Sequence, residues 1–181
     1  MDRMEPYCQG DLDGLCGLYA IINALCALCP EIDEDIALGM FGHLARHMQG
    51  GLKEPMPVIA YGIGATSLRL LLNRAIRYLH KAMGIEIEVT GFAIAKRNLE
   101  LRKLWRLLAQ QLDGEQVAIV LIRGVHQHWT VAYDATETTL RLIDSNERKV
   151  LVRSRCTLKE TRTRFQLAPS DMFFLRKSTP W

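Results

Sequence analysis

The sequence predicts an α+β fold in which a helical N-terminal half packs on a largely antiparallel β-sheet supplied by the C-terminal half. Three observations carry that expectation. Apolar residues recur at helical spacing from Leu15 onward, and at Val117 the pattern switches to a continuous apolar run, VAIVLI. Beyond it, the alternating stretches HWTVAYD at 128–134 and LRLIDS at 140–145 flank a polar turn, as the two arms of a hairpin do.

The first helix is the element around which the rest is arranged. Leu15, Leu18, Tyr19, Ile22, Leu25 and Cys26 lie on one side, while Ala20, Ile21, Ala24 and Ala27 fill the others, so the helix is apolar nearly all round and reads as buried. It follows the turn-forming stretch QGDLDG, which puts Cys16 in its first turn. Free N–H groups and partial positive charge at a helix start favour an anion, so a thiol there is expected to ionise below its usual value of about 8.5. The thiolate is the nucleophilic form. Gln9, seven residues upstream, carries an amide that can join the Cys16 backbone N–H as a donor pair for a developing oxyanion. Taken alone, a cysteine in an apolar helix is more often a packing residue, and only a base elsewhere in the chain changes that reading.

A second helix is expected over 31–51, with acidic residues in its first turn, Met40, Phe41, Leu44 and Met48 on one face, and Gly50-Gly51 as its stop. Residues 49–67, dense in Gly and Pro, read as a long ordered loop bordering a cleft. A third helix, capped by Thr66 or Ser67, carries Leu68, Leu71, Leu72, Ala75, Ile76 and Leu79 on one face to Gly84, with His80 in its last turn as an ordinary C-terminal cation. The alternation over 85–90 predicts a half-buried strand. NLELRKLWRLLAQQL predicts a fourth helix, closed by Asp113-Gly114. VAIVLI fits a central strand, and further strands are expected at 150–153, 164–167 and 172–176.

With 181 residues, 49% hydrophobic and 24% charged, the chain is expected to be one domain over 1–181. MDRMEPYCQG is no signal peptide and no run approaches the roughly 20 apolar residues of a membrane span, which points to the cytoplasm and is compatible with specialised secretion as an effector. Five cysteines without framework spacing favour reduced thiols. Net charge is +3, acidic early and basic late. The late basic residues alternate with Val150, Val152, Thr157, Thr161, Thr163 and Phe165 as the outer side of strands would, so a solvated face is favoured over a nucleic-acid surface.

The hairpin supplies the base. His128 opens one arm and Asp144 closes the other, so one imidazole nitrogen can meet the carboxylate while the second faces Cys16. His126, two positions earlier, is the competing histidine; the alternation starts from His128.

Gln9, Cys16-Gly17 at the head of an apolar helix, His128-Trp129-Thr-Val and Leu142-Ile-Asp144-Ser together resemble the papain-like cysteine peptidase superfamily. Within it the chain looks most like C39-like peptidases of the double-glycine leader type, with a weaker likeness to Josephin-type deubiquitinases, which share the His-Trp opening. The resemblance implies a papain-like fold and a cysteine peptidase acting on peptide or isopeptide bonds. It implies Cys16 as nucleophile, His128 as base and acid, Asp144 as orienter and Gln9 in the oxyanion hole, with no cofactor. The Gln-to-Cys interval is a residue longer than in papain, which leaves Asp11 or Asp13 as alternatives at the site; Ser-Asn follows Asp144 where leader peptidases usually carry Pro, which leaves Asn146 as an alternative orienter. No transporter segment accompanies the domain, so a bacteriocin exporter is not expected.

Other readings stand beside it. Deamidation or transglutamination of protein glutamine uses the same acyl-thioester route, and peptidoglycan hydrolysis suits a related fold. A non-catalytic peptide-binding scaffold, or a zinc-stabilised adaptor on Cys26, Cys29, His43 and His47, belongs to a different class. The expected partner is a protein or peptide with an extended, basic or glycine-rich segment, matched to an acidic surface at Asp11 and Asp13.

Overall fold

The computed structural model describes residues 5–10, 14–51, 62–91, 99–112 and 114–178, with the side chains of 49–51 excepted. Among them are four α-helices, α1 (Cys16–Leu28), α2 (Glu34–Gly51), α3 (Ala65–Met83) and α4 (Leu101–Gln111). Seven strands form one sheet: β1 (Ile87–Gly91), β2 (Gln116–Gly124), β3 (His128–Ala135), β4 (Thr139–Ile143), β5 (Val150–Val152), β6 (Cys156–Thr157) and β7 (Phe165–Lys177). Their order is β1-β7-β2-β3-β4-β5, antiparallel throughout, with the short β6 added in parallel beside β7. The architecture is α+β. No helix among the described residues is long and apolar enough to cross a membrane.

The run VAIVLI is continuous because β2 is covered on both faces. Val117, Ile119 and Leu121 pack in the core shared with α1, α2 and α3. Ala118, Val120 and Ile122 pack in a second core built on Leu104, Trp105 and Leu108 of α4. The simple expectation of helices on one side and strands from one half is therefore modified: α4 lies across the sheet from the other helices, and β1, from the N-terminal half, pairs with β7.

Several boundaries also move. α3 begins at Ala65 with Gly64 as its extended N-cap, so neither Thr66 nor Ser67 caps it; both sit exposed in its first turn. Asp33 does cap α2, its Oδ1 accepting from the Ile36 N–H at 2.9 Å. The strands expected at 164–167 and 172–176 are one strand, whose pairing with β2 jumps from Leu167 to Met172. The intervening stretch holds Pro169, which has no N–H to give a ladder, and it bulges instead. Thr163 lies in a bend and Thr161 in the irregular stretch before it, neither of them in a strand. Gly124 ends β2 at φ +94°, and a Cβ there would come within 2.1 Å of the Arg164 carbonyl oxygen, so only glycine lets the strand end meet the start of β7. Most of the loop expected at 49–67, and Asp113 at the end of α4, fall outside the described residues.

Candidate active site

α1 starts at Cys16. The Leu15 carbonyl accepts from the Leu18 and Tyr19 N–H groups at 2.8 and 3.1 Å, and no side chain caps the helix. The N–H groups of Cys16 and Gly17 precede the first intrahelical donors and are therefore available to a ligand. The next residue must be small: a Cβ on Gly17 would lie 2.7 Å from the Ile63 side chain and 3.1 Å from Leu68. Ile63 is held from the opposite side as well, because its carbonyl accepts from Trp129 Nε1 at 2.8 Å. The pairs Cys16-Gly17 and His128-Trp129 thus have one structural rationale, since Gly17 and Trp129 grip the same residue and bring the helix start against the strand start.

The hairpin of β3 and β4 aligns Val131 with Ile143, and the same register carried one residue on sets Asp144 beside Thr130 and diagonal to His128. His128 Nε2 and Asp144 Oδ2 are 3.0 Å apart. The Asp144 side chain is fully buried and that of His128 only 13% exposed. The other carboxylate oxygen accepts from the backbone N–H groups of Asn146 at 2.8 Å and Arg148 at 3.4 Å. With Nε2 engaged, Nδ1 is the ring nitrogen left to face Cys16, whose sulfur is near enough to act on the charge of the ring; the thiol itself lies 4.0 Å from the Gly14 carbonyl oxygen. Cys16 itself is 7% exposed.

These contacts set the charges. Burial opposes the imidazolium, but the hydrogen bond to Asp144 and the favourable interactions with Asp144 and Cys16 override it and push the His128 pKa up to about 9. Burial likewise opposes the Asp144 carboxylate, while His128 and the Asn146 N–H hold its pKa below the usual range. The pair is imidazolium and carboxylate at neutral pH. Since the folded His128 value exceeds the unfolded value of about 6.5, its stabilisation is complete below that pH and disappears as pH rises through about 9. For Asp144 the sign is opposite, and its contribution fades as pH falls below the carboxylate range. NMR titration of the His128 ring is expected to show a midpoint near 9, falling by a unit or more in Asp144→Asn. The melting temperature is expected to drop between pH 6.5 and 9.5 in the wild type by more than in His128→Gln; equal drops would contradict the assignment.

Gln9 is tied to the same corner. Its N–H donates to the Ser145 carbonyl at 3.0 Å and its Oε1 accepts from the Ser145 hydroxyl at 3.3 Å, which leaves the amide nitrogen as the end able to donate. Two residues back, the Tyr7 N–H and carbonyl are both bonded by the Asn23 side chain, at 2.8 and 3.0 Å. Asn23 is fully buried in α1. Sequence reasoning passed over it, although one amide inside an otherwise apolar helix was the available signal.

The remaining candidates separate from this cluster. Asn146 is exposed and touches Asp144 through its backbone, so the side chain facing His128 is that of Asp144. His126 is exposed, in the loop before β3. Asp11 and Asp13 lie outside the described residues. Cys26 and Cys29 are buried at the end of α1, and burial pushes their thiols up to about 12 and 11. His43 and His47 face Tyr78 of α3 instead, and no group of three or more metal-binding side chains forms among the described residues. The zinc arrangement is therefore not assembled.

Comparison of the chain with protein-family models, with curated proteins and with solved structures gives no match. Function must be argued from the site itself.

Proposed function

We propose that this chain is a papain-like cysteine peptidase, hydrolysing a peptide or isopeptide bond through a thioester on Cys16. The observation that carries the reading is the His128 ring, held by a buried carboxylate at 3.0 Å and under the electrostatic influence of a cysteine at a helix start. A structural histidine has no need of that arrangement, whereas a nucleophile, base and orienter need all of it.

The chemistry follows from the geometry. Cys16, as thiolate, attacks the carbonyl carbon; a C–S bond forms and the carbonyl π electrons move to oxygen. The Cys16 N–H and the Gln9 amide nitrogen stabilise that oxyanion. Its collapse breaks the C–N bond, and the leaving amine takes the proton of the His128 imidazolium. Neutral His128 then accepts a proton from water as the water attacks the thioester, releasing the acid and restoring the thiolate beside an imidazolium. Asp144 holds the ring and its charge throughout and keeps its own carboxylate ionised.

A cell lysate incubated with wild type and with Cys16→Ala, read by mass spectrometry, tests the proposal. New peptide termini that appear only with the wild type support it. A gain of about one dalton at glutamine, without cleavage, assigns the same thioester chemistry to deamidation instead. Identical spectra from the two proteins oppose both.

A further inference from the structure

We infer that the groove between α2 and α3 binds a compact polyanion, a small molecule carrying two or more phosphate or equivalent oxyanion groups. The site shares no residue with the Cys16 cluster, and the proposal does not depend on the peptidase reading. It is a cavity of about 570 Å³, lined chiefly by His43, His47, Arg74, Arg77, Tyr78 and Lys81, within the size range of small-molecule sites.

The sequence makes this face basic in an unusual way. α3 carries Arg69, Arg74, Arg77, His80 and Lys81 and no acidic residue, and α2 has none after Glu34 and Asp35 in its first turn. On α3, Arg74, Arg77 and Lys81 recur at the spacing of one helix face; on α2, His43 and His47 are a turn apart. The floor is shaped by Gly39, whose missing Cβ admits the Tyr78 hydroxyl to within 2.4 Å of the position it would occupy. The rings of His43 and Tyr78 stand 5.4 Å apart, and those of His43 and His47 4.3 Å. His47 Nδ1 lies 2.8 Å from the His43 carbonyl, which it meets as a donor and so leaves Nε2 for a ligand.

Four cations elsewhere in the fold have carboxylate partners, in Arg123–Asp171, Arg141–Asp134, Arg176–Glu115 and Lys177–Glu31. Among the described residues no carboxylate pairs with Arg74, Arg77 or Lys81, and none lines the groove. Like charges gathered around a concavity repel one another, and a bound polyanion offsets that repulsion while accepting hydrogen bonds from several donors at once. The state of His43 reports the strain: burial, then His47, Arg46 and Arg74, depress its pKa, and an anion in the groove would restore it. The concave shape and limited volume favour a compact ligand over a nucleic acid, whose backbone needs a longer basic track.

Calorimetric titration of the full chain with sodium tripolyphosphate, in salt on the order of 50 mM, tests this. The expected result is saturable one-to-one binding that weakens steeply when the salt is raised to about 500 mM. The double variant Arg77→Gln/Lys81→Gln, at two exposed positions, should bind roughly tenfold more weakly with an unchanged melting curve and an unchanged rate of Cys16 alkylation. Weak unsaturable binding, or equal affinity in the variant, overturns the proposal. So does tight binding of a single-stranded oligonucleotide that tripolyphosphate fails to displace, which would make the face a nucleic-acid surface.

Discussion

Cys16→Ala lowers turnover of a substrate identified from lysate by at least about 10³-fold, because removing a nucleophile takes away the covalent route and leaves only the surrounding donors. Cys16→Ser does the same, since the hydroxyl is far harder to ionise than the thiol and the His128 ring is already protonated at neutral pH. Both proteins should stay folded. The residue is one small side chain at the first position of α1, while the core below it rests on Leu18, Ile21, Ile22 and Leu25. Steady-state turnover alongside thermal melting separates the two effects, and a Ser variant with near wild-type turnover would contradict the role given to the sulfur.

Asp144→Ala has the second largest effect, and it falls on activity and stability together. The substitution strands the His128 ring, only 13% of it exposed, and leaves the N–H groups of Asn146 and Arg148 without their acceptor. Breaking a buried charged pair in this way costs about 3 kcal/mol. Turnover should fall about 10²-fold or more, because the ring loses both its orientation and its positive charge. Asp144→Asn separates these contributions. An amide oxygen in place of Oδ2 still accepts from Nε2 but turns the NH2 group toward the Asn146 and Arg148 N–H donors, so only part of the stability returns, while the alkaline limb of the turnover profile, expected near pH 9 in the wild type, moves to lower pH. Urea unfolding and pH–rate profiles of the two variants check both statements.

How far the sequence disclosed this arrangement depends on the range over which each signal acts. Cys16 at a helix start, the β3–β4 hairpin and its His128 and Asp144 ends are local patterns, and periodicity with turn chemistry exposes them. The alternation over 85–90 likewise predicts the buried Ile85 and Ile87 and the exposed Glu86 and Glu88. It does not reveal that the strand pairs with β7, because that choice is made by contacts distant in sequence. The face of α4 that packs is readable from Leu104 and Leu108, but which side of the sheet it covers is not. Pro169-Ser170 resembles a turn and divides β7 into two in sequence, whereas the folded strand absorbs the proline in a bulge. Ile63, gripped between Gly17 and Trp129, was hidden for the same reason: its importance lies in a carbonyl and a close approach, neither of which has a side-chain signature.

The most direct measurement is the rate at which iodoacetamide modifies each cysteine near pH 6.5, read peptide by peptide in the wild type and in His128→Ala. Cys26, Cys29 and Cys156 are buried thiols pushed up to between about 11 and 12, so they should react only on unfolding. Cys8 is exposed and serves as the internal reference. The expected result is Cys16 alkylated at least about tenfold faster than Cys8 in the wild type, with that advantage lost when the imidazole is removed. A Cys16 that reacts no faster than Cys8, or at a rate indifferent to residue 128, would contradict the account.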